Sequence, residues 1–175
     1  PKPSSAASDV YKRQSNGTAS ISGTTVTYTP TDNWNGTDTF TYKANDGTDN
    51  SNTATVTITV NPVNDVPVAS DVSVSTNEDT VKTFNLVGTD IEGAAGGGSH
   101  NVTYSIVSNP SNGSLSSIDA PTVNGASITY TPTANWNGTD TFTYKVNDDT
   151  IDSNTATVTV TVVSIDDPPL SLIHI

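Results

Sequence analysis

The chain has 175 residues, room for one or two domains of ordinary size, with 32% of them hydrophobic and only 14% charged. Eighteen acidic against six basic side chains give a formal net charge of −12, which repels phosphate backbones and anionic lipid headgroups and argues against nucleic acid as a partner. There is no Cys to form a disulfide or act as a thiol nucleophile, and no run of eighteen apolar residues to insert into a membrane.

In chain order, residues 1–14, ending Val10-Tyr11-Lys12-Arg13-Gln14, show neither strand alternation nor a repeat partner, and are expected to be a tail foreign to the rest of the chain. Lys2, Lys12 and Arg13 are half of the basic residues, so the remainder is more acidic still. Residues 170–175 are expected to be a second foreign tail. Between them lies a repeat. Tyr28 to Val60 matches Tyr130 to Val162 at an offset of 102 residues, without a gap and with six differences. The likeness extends back to Ser15-Asn16-Gly17 against Ser111-Asn112-Gly113. A period near 100 residues is that of whole domains. Residues 15–66 therefore read as the C-terminal part of a first repeat, and 67–169 as a complete second one.

In the second copy, Thr155-Ala156-Thr157-Val158-Thr159-Val160-Thr161-Val162 alternates threonine with apolar residues, the pattern of a half-buried strand. Ser127-Ile128-Thr129-Tyr130 and Thr141-Phe142-Thr143-Tyr144 alternate likewise. Strands are predicted at about 70–76, 81–87, 101–107, 113–117, 126–131, 140–147 and 154–163. Turns at Asn112-Gly113, Asn124-Gly125 and Asn137-Gly138 separate several of them. Seven short strands in about 100 residues predict an all-β fold, an Ig/cadherin-like antiparallel β-sandwich, here in tandem with a truncated copy. That truncated copy lacks strands to cover its sheet, which predicts fraying or intermolecular pairing at its open edge.

Asp140-x-Phe142-x-Tyr144, like Asp38-x-Phe40-x-Tyr42, has the spacing of a tyrosine corner, with Val146 or Ala44 where antibody domains carry Cys. Trp34 and Trp136, each beside an Asn-Gly, read either as packing residues or as platforms for stacking a sugar. Outward threonines are ordinary for soluble strands; an ice-binding array needs a flat sheet, and sandwich sheets twist.

Asn-Trp-Asn-Gly-Thr-Asp-Thr-Phe-Thr-Tyr-Lys, the closing Ser-Asn-Thr-Ala-Thr-Val-Thr-Ile-Thr-Val, and Val63-Asn64-Asp65-Val66-Pro67-Val68-Ala69 resemble the bacterial cadherin-like tandem repeats of large secreted surface adhesins. Asn77-Glu78-Asp79-Thr80 and Thr89-Asp90-Ile91-Glu92-Gly93 add to the likeness, which covers about 15–169. The resemblance implies an extracellular or cell-surface spacer or adhesion element. Its partners would be neighbouring repeats of the same chain and, for an adhesive module, cell-surface or matrix glycans or proteins, with no insertion into a membrane. It also implies Ca2+ at the domain junctions. By that likeness Asn64, Asp65, Asp90, Glu92 and Asp148 serve one junction, and Glu78, Asp166 and Asp167 the next. Calcium takes six to eight oxygen ligands, which loop carboxylates and carbonyls supply. The plainer alternative is that these carboxylates only solvate loops. Three features depart from the cadherin pattern. Pro62 and Ser164 stand where the linker often begins with Asp, Asp38 and Asp140 are all that approaches an Asp-Arg-Glu motif, and Gly93 to Ser99 replaces an acidic stretch.

Catalysis finds little footing. The histidines are His100 and His174, so neither a Ser-His-Asp triad nor a zinc site is expected. Asp148-Asp149 and Asp166-Asp167 are adjacent carboxylates in turns, without a cleft to desolvate them. The expectation is a non-enzymatic spacer stiffened by calcium, with a carbohydrate- or protein-binding module using sandwich-end loops as the alternative.

Overall fold

A computed structural model describes residues 6–11 (backbone only), 15–91, 102–120 and 125–166. It divides the chain into two compact units: of the described residues, those up to Asp65 together with Ile91 belong to the first, and Val66–Asp90 with those from Val102 onward to the second. The strands of unit 1 are β1 (Ala6–Tyr11), β2 (Gly17–Ser22), β3 (Thr25–Pro30), β4 (Gly36–Asn45) and β5 (Ala54–Val60). Those of unit 2 are β6 (Val68–Ser70), β7 (Val72–Asn77), β8 (Lys82–Thr89), β9 (Thr103–Ser108), β10 (Gly113–Leu115), β11 (Ala126–Pro132), β12 (Gly138–Asn147) and β13 (Ala156–Val163).

Unit 2 is the expected sandwich. One sheet has the order β10-β11-β8-β6 and the other β7-β13-β12-β9. The predicted strand at 70–76 is in fact two. The chain steps between sheets at Asp71, so β6 pairs antiparallel with β8 while β7 pairs parallel with β13. Asp71 fixes the step by accepting the Thr157 N–H at 2.7 Å. Alternation does the packing: in β13 every second residue from Ala156 to Val162 is buried, and the intervening threonines are not. Leu86, Ile128, Tyr130, Phe142, Tyr144, Val146, Val158 and Val160 fill the core at 0–1% exposure. Each such burial stabilises by about 1.5–3 kcal/mol before the entropy of ordering is subtracted. Gly125 lets β11 begin beneath β8: its φ is 100°, and a Cβ there would lie 1.9 Å from the Leu86 carbonyl oxygen.

Unit 1 repeats part of this plan. Its β4 pairs with β5 as β12 does with β13, and β2 pairs with β3 as β10 does with β11. Within residues 1–14 the backbone forms one further strand. Ala6–Tyr11 is a strand, antiparallel to β4, with Val10 opposite Tyr42 and Ala6 opposite Asn45. It takes the place that β9 takes on β12, where Ile106 lies opposite Tyr144 and Thr103 opposite Asn147. The reason is that an open strand edge pairs through backbone groups, which need no apolar alternation from their partner.

Candidate functional site

The residues that the resemblance marks as ligands fall into distinct local settings. Glu78 follows directly on β7 and is 7% exposed. Its Oε1 accepts the Ile165 N–H at 2.7 Å, and its own N–H donates to the Val163 carbonyl at 2.9 Å. The carboxylate thus holds the strand that leaves β13, and sets the exposed Asp166 one residue beyond its grip. Asp90 is buried at 4% just past β8. Asp148 shapes the β12–β13 loop from within: its Oδ1 accepts the N–H groups of Thr150 and Ile151, each at 2.7 Å. Asp46 does the same in unit 1 for Thr48 and Asp49, at 2.9 Å each, and these bonds hold its carboxyl below the usual range. Asn64 donates through Nδ2 to the Asp65 carbonyl at 2.9 Å. Glu92 and Asp167 lie outside the described residues. Among the described residues, no three His, Cys, Asp or Glu side chains gather closely enough to form a metal cluster.

Two carboxylates that sequence reasoning placed only beside a missing motif have a definite structural role. Asp140, 3% exposed, accepts the Ser111 and Thr141 N–H groups on Oδ1, each at 3.0 Å, and the Asn112 N–H at 2.8 Å on Oδ2. The Tyr130 hydroxyl joins it at 3.0 Å. Asp38 repeats the arrangement with Asn16 N–H, Thr39 N–H and the Tyr28 hydroxyl, the last at 2.9 Å. Burial works against the Asp38 charge, but these hydrogen bonds outweigh it and draw the carboxyl below its ordinary pKa. Burial and the adjacent carboxylate push Tyr28 up to about 12, and Tyr130 is raised for the same reasons. The signal for this role was present in the sequence as Asp-x-Phe-x-Tyr following a Tyr-Thr-Pro strand in both copies.

The tyrosine corner takes a different form from the expected one. Rather than bonding a few residues upstream, the Tyr144 hydroxyl crosses to the other sheet, accepting the Val87 N–H at 3.0 Å and lying 2.5 Å from the Ser70 carbonyl and 2.8 Å from that of Val87. It ties β12 to both β6 and β8.

The two tryptophans differ in setting. Trp136 packs against the core of unit 2, and its loop is capped where the Asn135 N–H donates to Asp79 Oδ1 at 3.0 Å. Trp34 instead lines a cleft of about 280 Å³ with Asp32, Asn33, Asn35, Asn61 and Asp65. Its indole N–H is buried without a hydrogen-bond partner among the described residues. Asn33 and Asn135 both take φ of 55°, and the Trp34 and Trp136 N–H groups close matching turns on the Thr31 and Thr133 carbonyls.

Among the described residues no helix is long and apolar enough to cross a membrane. The chain resembles the EC1-2 fragment of human mucin-like protocadherin in fold: TM-score 0.54, 16% identity, covering 93% of this chain and 84% of that one. Weaker likenesses link it to domains 4 and 5 of the S-layer protein SbsC, with TM-score 0.38, 21% identity and coverage of 82% and 64%. An endo-fucoidan hydrolase of glycoside hydrolase family 107 matches with TM-score 0.42, 20% identity and coverage of 88% of this chain, which spans only 23% of that protein. No curated protein sequence matches. The family described as Bacterial Ig domain matches residues 3–59 and 64–161, and the chain belongs to that family.

Proposed function

We propose that the chain is a non-enzymatic spacer and adhesion element of a secreted or cell-surface protein, transmitting force along its length. The observation that carries this reading is the parallel pairing of β7 with β13, in register from Val72 opposite Val158 to Asn77 opposite Val163. Because the pair is parallel, the chain comes into unit 2 at one end of the sandwich and leaves from the other. A pull on both ends loads this ladder in shear, so its hydrogen bonds must break together rather than one after another. Glu78 adds a clamp at the exit by holding the Ile165 N–H.

Calcium at the junctions is part of the same proposal. Glu78 holds the Ile165 N–H at the exit of unit 2, and Asp166 and Asp167 follow in sequence. Hard oxygen donors of this kind suit Ca2+, and a following repeat would complete the six to eight oxygens. Asn64, Asp65, Asp90, Glu92 and Asp148 are proposed for the other junction. The ion would neutralise carboxylates that otherwise repel each other, and so straighten the linker.

Force spectroscopy on the full chain, held by its two ends, tests the spacer reading. Unit 2 should unfold in one high-force event, and a Ser73→Pro/Ser75→Pro chain, with its edge ladder broken, should yield at markedly lower force. Equal unfolding forces for the two chains would refute it. The alternative, a carbohydrate- or protein-binding module at the sandwich end, is favoured by the Trp34 cleft with its Asp and Asn lining. A glycan array probed with the chain and with Trp34→Ala decides it, since retained binding in the variant removes the cleft from consideration.

A further inference from the structure

Among the described residues the dipeptide Asn-Gly occurs at Asn16-Gly17, Asn35-Gly36, Asn112-Gly113 and Asn137-Gly138. Such a pair is chemically labile, because glycine has no side chain to keep the asparagine Cγ away from its main-chain nitrogen. Within unit 2 the fold places two identical pairs in opposite settings.

Asn112 is held by its main chain. Its N–H donates to Asp140 Oδ2 at 2.8 Å, and its carbonyl accepts the Thr133 N–H at 2.9 Å and the Tyr130 hydroxyl at 3.2 Å. Gly113 lies so close to the Tyr130 ring that a Cβ has no room there. Asn16 is held in the same way in unit 1, by Asp38, Thr31 and Tyr28. Asn137 is the reverse. It is exposed in the irregular stretch before β12, and so are Gly138 and Thr139 after it. Among the described residues its side-chain amide makes no hydrogen bond. Glycine at 138 is nevertheless required, since its φ is 142° and a Cβ would lie 3.0 Å from the Trp136 ring. Packing Trp136 against the core of unit 2 thus fixes a glycine directly after an asparagine that has no bond of its own to keep.

We propose that Asn137 is a site of spontaneous covalent modification, converting through a cyclic imide to aspartate and isoaspartate. The Gly138 nitrogen, its proton lost to hydroxide, attacks Asn137 Cγ. A Cγ–N bond forms, the Cγ–Nδ2 bond breaks, and Nδ2 leaves as ammonia with a proton taken from water. Water then adds to one of the two imide carbonyls. Opening at Cγ restores the ordinary main chain with Asp at 137, whereas opening at the main-chain carbonyl reroutes the chain through Cγ as isoaspartate. At Asn112 the same closure must wait until the contacts to Asp140, Thr133 and Tyr130 open, and it is slowed by the free energy of that opening. Either product adds a negative charge. Isoaspartate also adds a main-chain carbon between the turn that Asp79 caps at Asn135 and the Gly138–Val162 pair that begins the β12–β13 ladder. This chemistry needs only water and does not depend on the spacer reading; in a long-lived surface module it records the age of the chain.

The test is incubation of the full chain in warm, mildly alkaline ¹⁸O-water, folded and in concentrated urea, followed by peptide mapping with mass spectrometry. In the folded chain Asn137 should convert at least about tenfold faster than Asn112 or Asn16, a factor worth about 1.4 kcal/mol of opening. The products should carry the water label and include isoaspartate. In urea, where only the dipeptide matters, the three sites should react at similar rates. Asn137 that stays intact in the folded chain while it converts in urea overturns the proposal. So does Asn112 converting as fast as Asn137 in the folded chain, because the setting would then have no influence.

Discussion

Tyr130 donates its hydroxyl proton toward Asp140 Oδ2 at 3.0 Å, and the two residues join different sheets of unit 2. Around this contact the Ser111, Asn112 and Thr141 N–H groups converge on one carboxylate. It is a buried anion satisfied by four donors, and it pins the turn before β10 to the start of β12.

Replacing Asp140 with Ala should therefore destabilise unit 2 by about 2–4 kcal/mol, since several buried donors lose their acceptor together. Asp140→Asn, which keeps one acceptor, should cost less. Urea unfolding of both variants checks this. A loss under about 0.5 kcal/mol in Asp140→Ala would show the hub to be energetically idle.

The same hub in unit 1 predicts a pH dependence with two arms. Tyr28 is raised to about 12 in the folded state, against 10.0 unfolded. Its stabilisation is complete below pH 10 and disappears as pH rises through the folded value, because the unfolded chain loses its proton first. Asp38 is lowered below 3.8, so its contribution is present above that pH and is lost as the medium is acidified past the folded value. Tyr28→Phe should abolish the alkaline arm and leave the Asp38 carboxyl less depressed. Thermal unfolding across pH 2–12 measures both.

Tyr144 and Tyr42 occupy matching positions, yet only the first is shown with partners on β6 and β8. Tyr144→Phe should cost about 1–3 kcal/mol, by leaving buried backbone groups of Val87 and Ser70 short of a partner. Tyr42→Phe should change stability by less than about 0.5 kcal/mol. Equal effects would mean that unit 1 is covered in solution.

Millimolar Ca2+ should raise the melting temperature and chelator should reverse the rise, with Mg2+ ineffective. Extracellular calcium modules bind with Kd of roughly 10⁻⁴–10⁻³ M, and tenfold excess over Kd adds about 1.4 kcal/mol. For domains of this size that is a shift of several degrees. The shift should shrink in Glu78→Gln and Asp166→Asn. An unchanged melting curve would reduce the acidic residues to loop solvation.

How far the sequence anticipated the molecule depended on periodicity. Thr155 to Val162 alternates so regularly that β13 was plain. The repeat at offset 102 likewise announced β4 and β5 once β12 and β13 were read. The step at Asp71 was hidden because Val68, Val72 and Val74 keep an even spacing in the sequence, whereas the inward side changes from Ala69 before the step to Val72 and Val74 after it as the partner strand changes. Strand β1 was missed because its pairing rests on the open edge of β4 rather than on its own pattern. At the candidate site, acidic residues were visible by type, but their roles were not. Glu78 and Asp148 accept backbone N–H groups from positions fixed only by folding, and the hub at Asp140 depends on residues brought together from two strands and a turn.

The partnership of β7 with β13 also sets a schedule for folding. Val72 meets Val158, 158 − 72 = 86 residues later in the chain. On a ribosome adding about 5–20 residues per second, the first strand waits roughly 4–17 seconds before its mate is made. Closing so long a loop belongs to the slow, high-contact-order class of folding events, in milliseconds to seconds. The apolar side of β7 and β8 is thus exposed to other nascent chains during that interval. Repeats of nearly identical sequence on neighbouring ribosomes would be the nearest wrong partners, and Lys82 and the acidic Asp71, Glu78 and Asp79 are the charges spaced through that segment to discourage them.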